Sequence, residues 1–114
     1  MRVKPLPKKW LIHEIEYEGY TGQNDDWGND KFEEPITIKH VRFDDSTVFS
    51  RDNTQTKVLA NAVIFVDAKY STPIPEFKEQ SKVRFNNREY VIQKVVPCYY
   101  PTKNEVRHYE LEVI

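Results

Sequence analysis

One stretch does most to limit what this chain can fold into: KVRFNNREYVIQKVV, residues 82–96. Polar and apolar residues alternate on both sides of Asn86-Asn87, and the side chains of a strand alternate between faces with a period of two. Both asparagines tolerate a positive φ, which a two-residue hairpin turn demands. A turn there sets Phe85 opposite Arg88, Arg84 opposite Glu89 and Val83 opposite Tyr90. The second pair is oppositely charged and the third is apolar, so two unrelated interactions agree on one register. The chain therefore contains an antiparallel hairpin, and Pro97 is expected to end its regular pairing or to bend it.

The same period recurs elsewhere. In VRHYELEVI (106–114), Arg107, Tyr109, Leu111 and Val113 share the face expected to meet the core. Val106, His108, Glu110, Glu112 and Ile114 share the other. The intervening YPTKNE suits a return to the same sheet. WLIHEIEY (10–17) alternates loosely, and ITIKHVRF (36–43) is another strand. LANAVIFVDAKY (59–70) has a continuous apolar centre over 62–66, as in a strand buried on both faces, with a short helix over 58–62 left open. The prolines of STPIP (71–75) mark a break. About six strands with little helix predict an all-β fold, a small antiparallel β-barrel closed against exposed edges. A chain of 114 residues supports one such core. Residues 10–114 are then the barrel domain and residues 1–9 a flexible basic and proline-bearing arm. Two connections, 18–35 and 44–57, are long for a compact fold, and long loops often carry function.

Composition excludes more than it selects. Charged residues make up 31% and hydrophobic ones 39%, so the chain is globular rather than disordered. The net charge of −1 gives no global surplus of lysine and arginine for non-specific nucleic-acid binding. One basic patch remains, Arg2, Lys4, Lys8 and Lys9 around Pro5 and Pro7, whose simplest reading is a solvated extended arm. Cys98 is the single cysteine, so no intrachain disulfide forms and nothing points to secretion. Its neighbours Pro97, Tyr99 and Tyr100 do not activate a thiolate. No apolar run approaches the ~20 residues that span a bilayer, and no apolar core follows the N-terminal charges to make a signal peptide. The expectation is a soluble protein made in a reducing cytoplasm.

A search for chemistry finds little. TGQNDDWGNDKFEE (21–34) invites a calcium-loop reading, with Gly28 at the turn and Glu34 as the closing carboxylate. The register then puts Gln23 at the first ligand position and Trp27 at the fifth, and the flanks favour strands over helices. A solvated connecting loop fits better. His13, His40 and His108 lie in separate strands with no HxH, HxxxH or HExxH spacing, so they read as surface or half-buried strand residues and no metal site is expected. The carboxylate pairs are adjacent in sequence and point opposite ways on an extended chain. Three glycines cannot build a phosphate loop or a nucleophile elbow. No enzyme motif and no cofactor are indicated. Tyr99, Tyr100, Arg107 and Tyr109 read either as a base-stacking platform or, more simply, as edge-covering and interface tyrosines. Trp27, in a polar loop, either folds back onto the barrel or anchors a partner.

The series LIHEIEYEGYTG…DDWG, PITIKHVRF, NAVIFVDAKYSTP, FKEQSKVRFNNREYVIQKVVPCYYP and HYELEVI resembles the minor capsid proteins encoded in prophages and tailed phages of Gram-positive bacteria. The likeness runs from about residue 11 to 114 and lies in the order of the pieces rather than in one fingerprint. These proteins are similar to head-completion, or head–tail stopper, proteins. The resemblance implies a virion structural protein, assembled in the host cytoplasm, with no catalysis. It implies a small barrel that forms a homo-oligomeric ring under the portal and adaptor, closes the DNA channel and presents the tail docking surface. Its partners would be the portal/adaptor proteins and a tail-completion protein, with transient DNA contact in the channel and no membrane; whether the isolated chain is a monomer is left open. By the same resemblance the channel-facing loop is Asp44, Asp45, Ser46, Thr47, Val48, Phe49, Ser50, Arg51, Asp52, Asn53, Thr54, Gln55, Thr56 and Lys57. The acidic loop around Asp25, Asp26 and Trp27 and the basic Lys8 and Lys9 are of opposite sign, and would meet between neighbours in a ring. The alternative is a small-barrel module that binds nucleic acid or protein.

Overall fold

The computed structural model describes residues 7–24, 26–45, 48–49 and 58–114. A 3₁₀ turn, Lys8–Trp10, precedes ten strands: β1 His13–Glu18, β2 Tyr20–Asn24, β3 Asp30–Phe32, β4 Ile36–Asp44, β5 Val48–Phe49, β6 Val58–Ala60, β7 Ala62–Asp67, β8 Lys82–Phe85, β9 Arg88–Tyr99 and β10 Val106–Val113. Six of them close an antiparallel barrel in the order β1-β4-β7-β10-β9-β8. The other four form two separate two-stranded ribbons, β2-β3 and β5-β6. The all-β barrel expected from the alternation is thus the fold.

The barrel interior is aliphatic. Ile15 of β1, Ile38 and Val41 of β4, Ile64 and Val66 of β7, Val83 of β8, Ile92 of β9 and Leu111 and Val113 of β10 are fully or almost fully buried. Burying one such side chain stabilises the fold by about 1.5–3 kcal/mol relative to exposing it. Inward residues of one strand should be two apart, yet Ile38 and Val41 are three apart. A β-bulge explains the slip: His13 pairs with Val41 and Glu14 with Lys39, leaving His40 as the extra residue at φ +60°. The apolar run of β7 is buried on both faces over most of its length, as its composition requires.

The β8-β9 hairpin has the expected register, with Phe85, Arg84 and Val83 paired to Arg88, Glu89 and Tyr90. Asn86 and Asn87 have φ of +51° and +63°, the pair of values that a two-residue turn needs. The Arg84 guanidinium lies 3.6 Å from Glu89, and the Lys82 ammonium lies 3.5 Å from the same carboxylate. These pairs are solvated and add little stability; the apolar face sets the register.

Two expectations are corrected and two alternatives left open are narrowed. Pro97 does not end the pairing: β9 continues to Tyr99, with Pro97 opposite Tyr109 of β10. The pairing with β8 stops at Val91, so Pro97 sits where β9 has a strand partner on one side and the missing N–H is tolerated. His108 is not a surface residue but is 7% exposed. It keeps the outer face that alternation gives it, but Phe65 of β7, Cys98 of β9 and the Glu110 side chain cover it there. The connection 18–35 is no plain loop, because it holds the ribbon β2-β3. The helix left open over 58–62 is instead β6 and the start of β7.

Candidate functional site

The ribbon β2-β3 is the first feature outside the barrel, and it is tied down at its base. Glu33 N–H donates to Gly19 O at 2.8 Å, and Tyr20 N–H donates to Ser81 Oγ at 2.9 Å. Thr21 Oγ1 donates to Lys31 O at 2.7 Å across the ribbon. The Lys82 ammonium lies 4.4 Å over the Phe32 ring, joining ribbon to barrel. A side chain at Gly19 would press against the Glu33 carboxylate at 3.1 Å, so the buried glycine permits this close approach. At the far end Gly28 takes φ +81° in the turn. Trp27 stands there 88% exposed beside exposed Asp26. Of the two expectations for Trp27, folding back onto the barrel is ruled out by that exposure. Strands flank this segment in place of the helices an EF-hand needs. Asp25 lies outside the described residues.

The basic side chains Lys8 and Lys9 are exposed on the 3₁₀ turn. The chain then dips, burying Leu11 to 3% exposure while Trp10 and Ile12 remain 51% and 69% exposed. Trp10 and Leu11, with Arg42, Asp44 and Phe65, line an apolar hollow of about 170 Å³ on the outer wall. Residues 1–6 lie outside the described residues. Of the predicted channel loop, Asp44 ends β4 and is half-buried, and Asp45 is exposed. Val48 and Phe49 form β5, which pairs with Ala60 and Val58 of β6. Ser46, Thr47 and Ser50 to Lys57 lie outside the described residues.

The four residues considered as a stacking platform do not share one exposed face. Tyr109 turns inward onto Phe77, with ring centroids 5.5 Å apart. Tyr99 is 55% exposed, and the Tyr100 ring carries the Lys103 ammonium 4.5 Å away.

A cluster that sequence spacing missed lies on the outer face of β9 and β10. Cys98 is the cross-strand partner of His108, and Glu110 follows two residues later on the same face. Cys98 Sγ donates to Glu110 Oε2 at 3.1 Å, and His108 Nε2 lies 3.1 Å from the same oxygen. Burial, then the hydrogen bond and charge of Glu110, push the Cys98 thiol up to about 11, with the Arg107 charge opposing. That shift works against thiolate formation at neutral pH. The missing signal was the strand pairing: adjacency of Cys98 and His108 follows only once the register across the 100–105 loop is known.

The family model described as "Minor capsid protein" matches residues 7–113. This chain belongs to the minor capsid protein family. Comparison with curated proteins and with solved structures finds no match. Membership makes the chain a structural protein of phage origin, belonging to the virion and in contact with other virion proteins. That role suits what surrounds the barrel: exposed aromatic and charged groups on a ribbon and a turn.

Proposed function

We propose that this minor capsid protein is a head-completion protein, a stopper that forms a ring under the portal and adaptor. In that place it closes the DNA channel and offers the surface on which a tail-completion protein docks. The observation that carries the reading is the pair of ribbons outside a closed barrel. A closed barrel leaves no sheet edge for assembly, so contacts fall to the ribbons, the N-terminal turn and the loops. The segment from Asp44 to Lys57, based on β5-β6, is the channel-facing loop in this reading. Identical loops brought to one axis meet at high effective concentration, and strand addition between them would close the channel.

The contact between neighbours pairs opposite charges. Lys8 and Lys9 of one copy face Asp25 and Asp26 of the next, with Trp27 as the buried anchor. Such a contact is heterologous and closes into a ring when the rotation permits. Outside the virion the chain is a monomer, and its contact with DNA is transient and sequence-independent.

Heads assembled without this chain test the reading. They should package DNA, lose it on storage and take up no tails. Infectious particles at normal yield would contradict it. The neighbour contact has its own test: reversing charge at Lys8 and Lys9 should impair ring formation at low salt, and unchanged rings would refute it.

A further inference from the structure

The Cys98, His108 and Glu110 cluster goes beyond the structural role. Its three ligand atoms, a sulfur, an imidazole nitrogen and a carboxylate oxygen, lie within 4.8 Å of one another. They come from two paired strands, so the backbone holds their relative positions. We propose that these residues form a binding site for a zinc-type divalent cation, with three protein ligands and water in the fourth position.

The donor set selects the metal. Thiolate with imidazole and one carboxylate suits zinc and disfavours magnesium and calcium, which prefer oxygen alone. At ordinary zinc bond lengths, tetrahedral ligand atoms lie roughly 3.4–3.6 Å apart. The two 3.1 Å contacts to Glu110 Oε2 would therefore open by about 0.3–0.5 Å, within reach of side-chain rotation. Charge also balances, since a thiolate and a carboxylate neutralise a dication in a half-buried place. Zinc would displace the proton that Cys98 now donates to Glu110, because a coordinating thiol is deprotonated outright, and His108 would bind through Nε2 as the neutral imidazole with its proton on Nδ1. The Glu110 side chain is 35% exposed and opens the site to solvent, while the Phe65 ring lies 6.2 Å from the His108 ring and shelters it. One feature limits affinity. His108 Nδ1 is buried with no hydrogen-bond partner, and a second-shell partner on a metal-binding histidine is worth about 10–100-fold. The site should therefore bind more weakly than a dedicated structural zinc site.

The test uses the full chain, reduced and stripped of metal by a chelator. It is titrated with zinc against a chromophoric indicator, and separately with cobalt(II). The expected result is one zinc per chain, and a cobalt complex with a thiolate charge-transfer band and the strong visible bands of tetrahedral geometry. Cys98→Ser should abolish the charge-transfer band, and both Cys98→Ser and Glu110→Gln should weaken zinc binding by at least about tenfold. Glu110 is partly exposed, so Glu110→Gln keeps the test valid if the cysteine variant folds poorly. Absence of binding at micromolar zinc, a cobalt spectrum without the charge-transfer band, or affinity unchanged in both variants would overturn the proposal.

Discussion

The Tyr17 hydroxyl shows how much one buried polar atom can organise. It accepts from Lys78 N–H at 3.0 Å, lies 3.2 Å from Ser81 Oγ and donates to Glu76 O at 3.3 Å. Ser81 Oγ in turn accepts from Tyr20 N–H, so the relay joins β1, the base of β2 and the segment leading into β8. Tyr17→Phe keeps the ring's packing on Phe77 and strands these partners. It should cost about 1–3 kcal/mol, read as a lowered denaturation midpoint at unchanged slope. His13 behaves differently. Its Nδ1 accepts the Phe43 N–H at 3.0 Å, so the fold requires it neutral. Burial, then the charge of Arg42, lowers its pKa below the ordinary 6.5. The unfolded chain takes up this proton first as pH falls, so stability is full above about 6.5 and declines as pH drops from there toward the lower folded value. Thermal unfolding across pH 5–8 should show that decline in the native chain and a smaller one in His13→Gln.

At the scale of elements, what could be read from sequence depended on local signals. The β8-β9 hairpin was legible because its turn residues and two cross-strand pairs lie within ten positions. The doubly buried β7 was legible from its apolar run. The ribbon β2-β3 was not, because YTGQN and DKF carry no alternating apolar face and most of their residues stay exposed. Nor was the bulge in β4, where ITIKHVRF looks regular and His40 gives no sign that it sits at φ +60°. The bulge predicts its own mutants. His40→Val places a β-branched side chain in the left-handed region and should destabilise by about 1–3 kcal/mol. His40→Gly should be tolerated, because glycine adopts this φ freely. Circular-dichroism melts of the two variants separate these outcomes. The Cys98–His108–Glu110 cluster was hidden for a third reason: its members lie ten and twelve positions apart and meet through strand pairing and a register shift. Alternation alone had put His108 and Glu110 on one face, and Cys98 completed the set only in three dimensions.

Among the described residues the molecule is a closed barrel around an aliphatic core, carrying two ribbons and a basic turn. The Tyr20–Ser81 and Gly19–Glu33 hydrogen bonds tie the base of the β2-β3 ribbon to the barrel, and Trp27 stands at its far end. A stable core with its chemistry on appendages is what an assembly component requires, and the family assignment agrees. In the proposed reading the chain adds to a completed upstream ring, so the decisive sample contains that ring. That measurement is electron microscopy of this chain mixed with the portal–adaptor complex of its own phage. The account predicts a ring of this chain capping the channel, with the loop from Asp44 to Lys57 at the axis and Trp27 between neighbours. No association with the complex, together with salt-dependent binding of single-stranded DNA by the isolated chain, would contradict it and make the barrel a nucleic-acid-binding module.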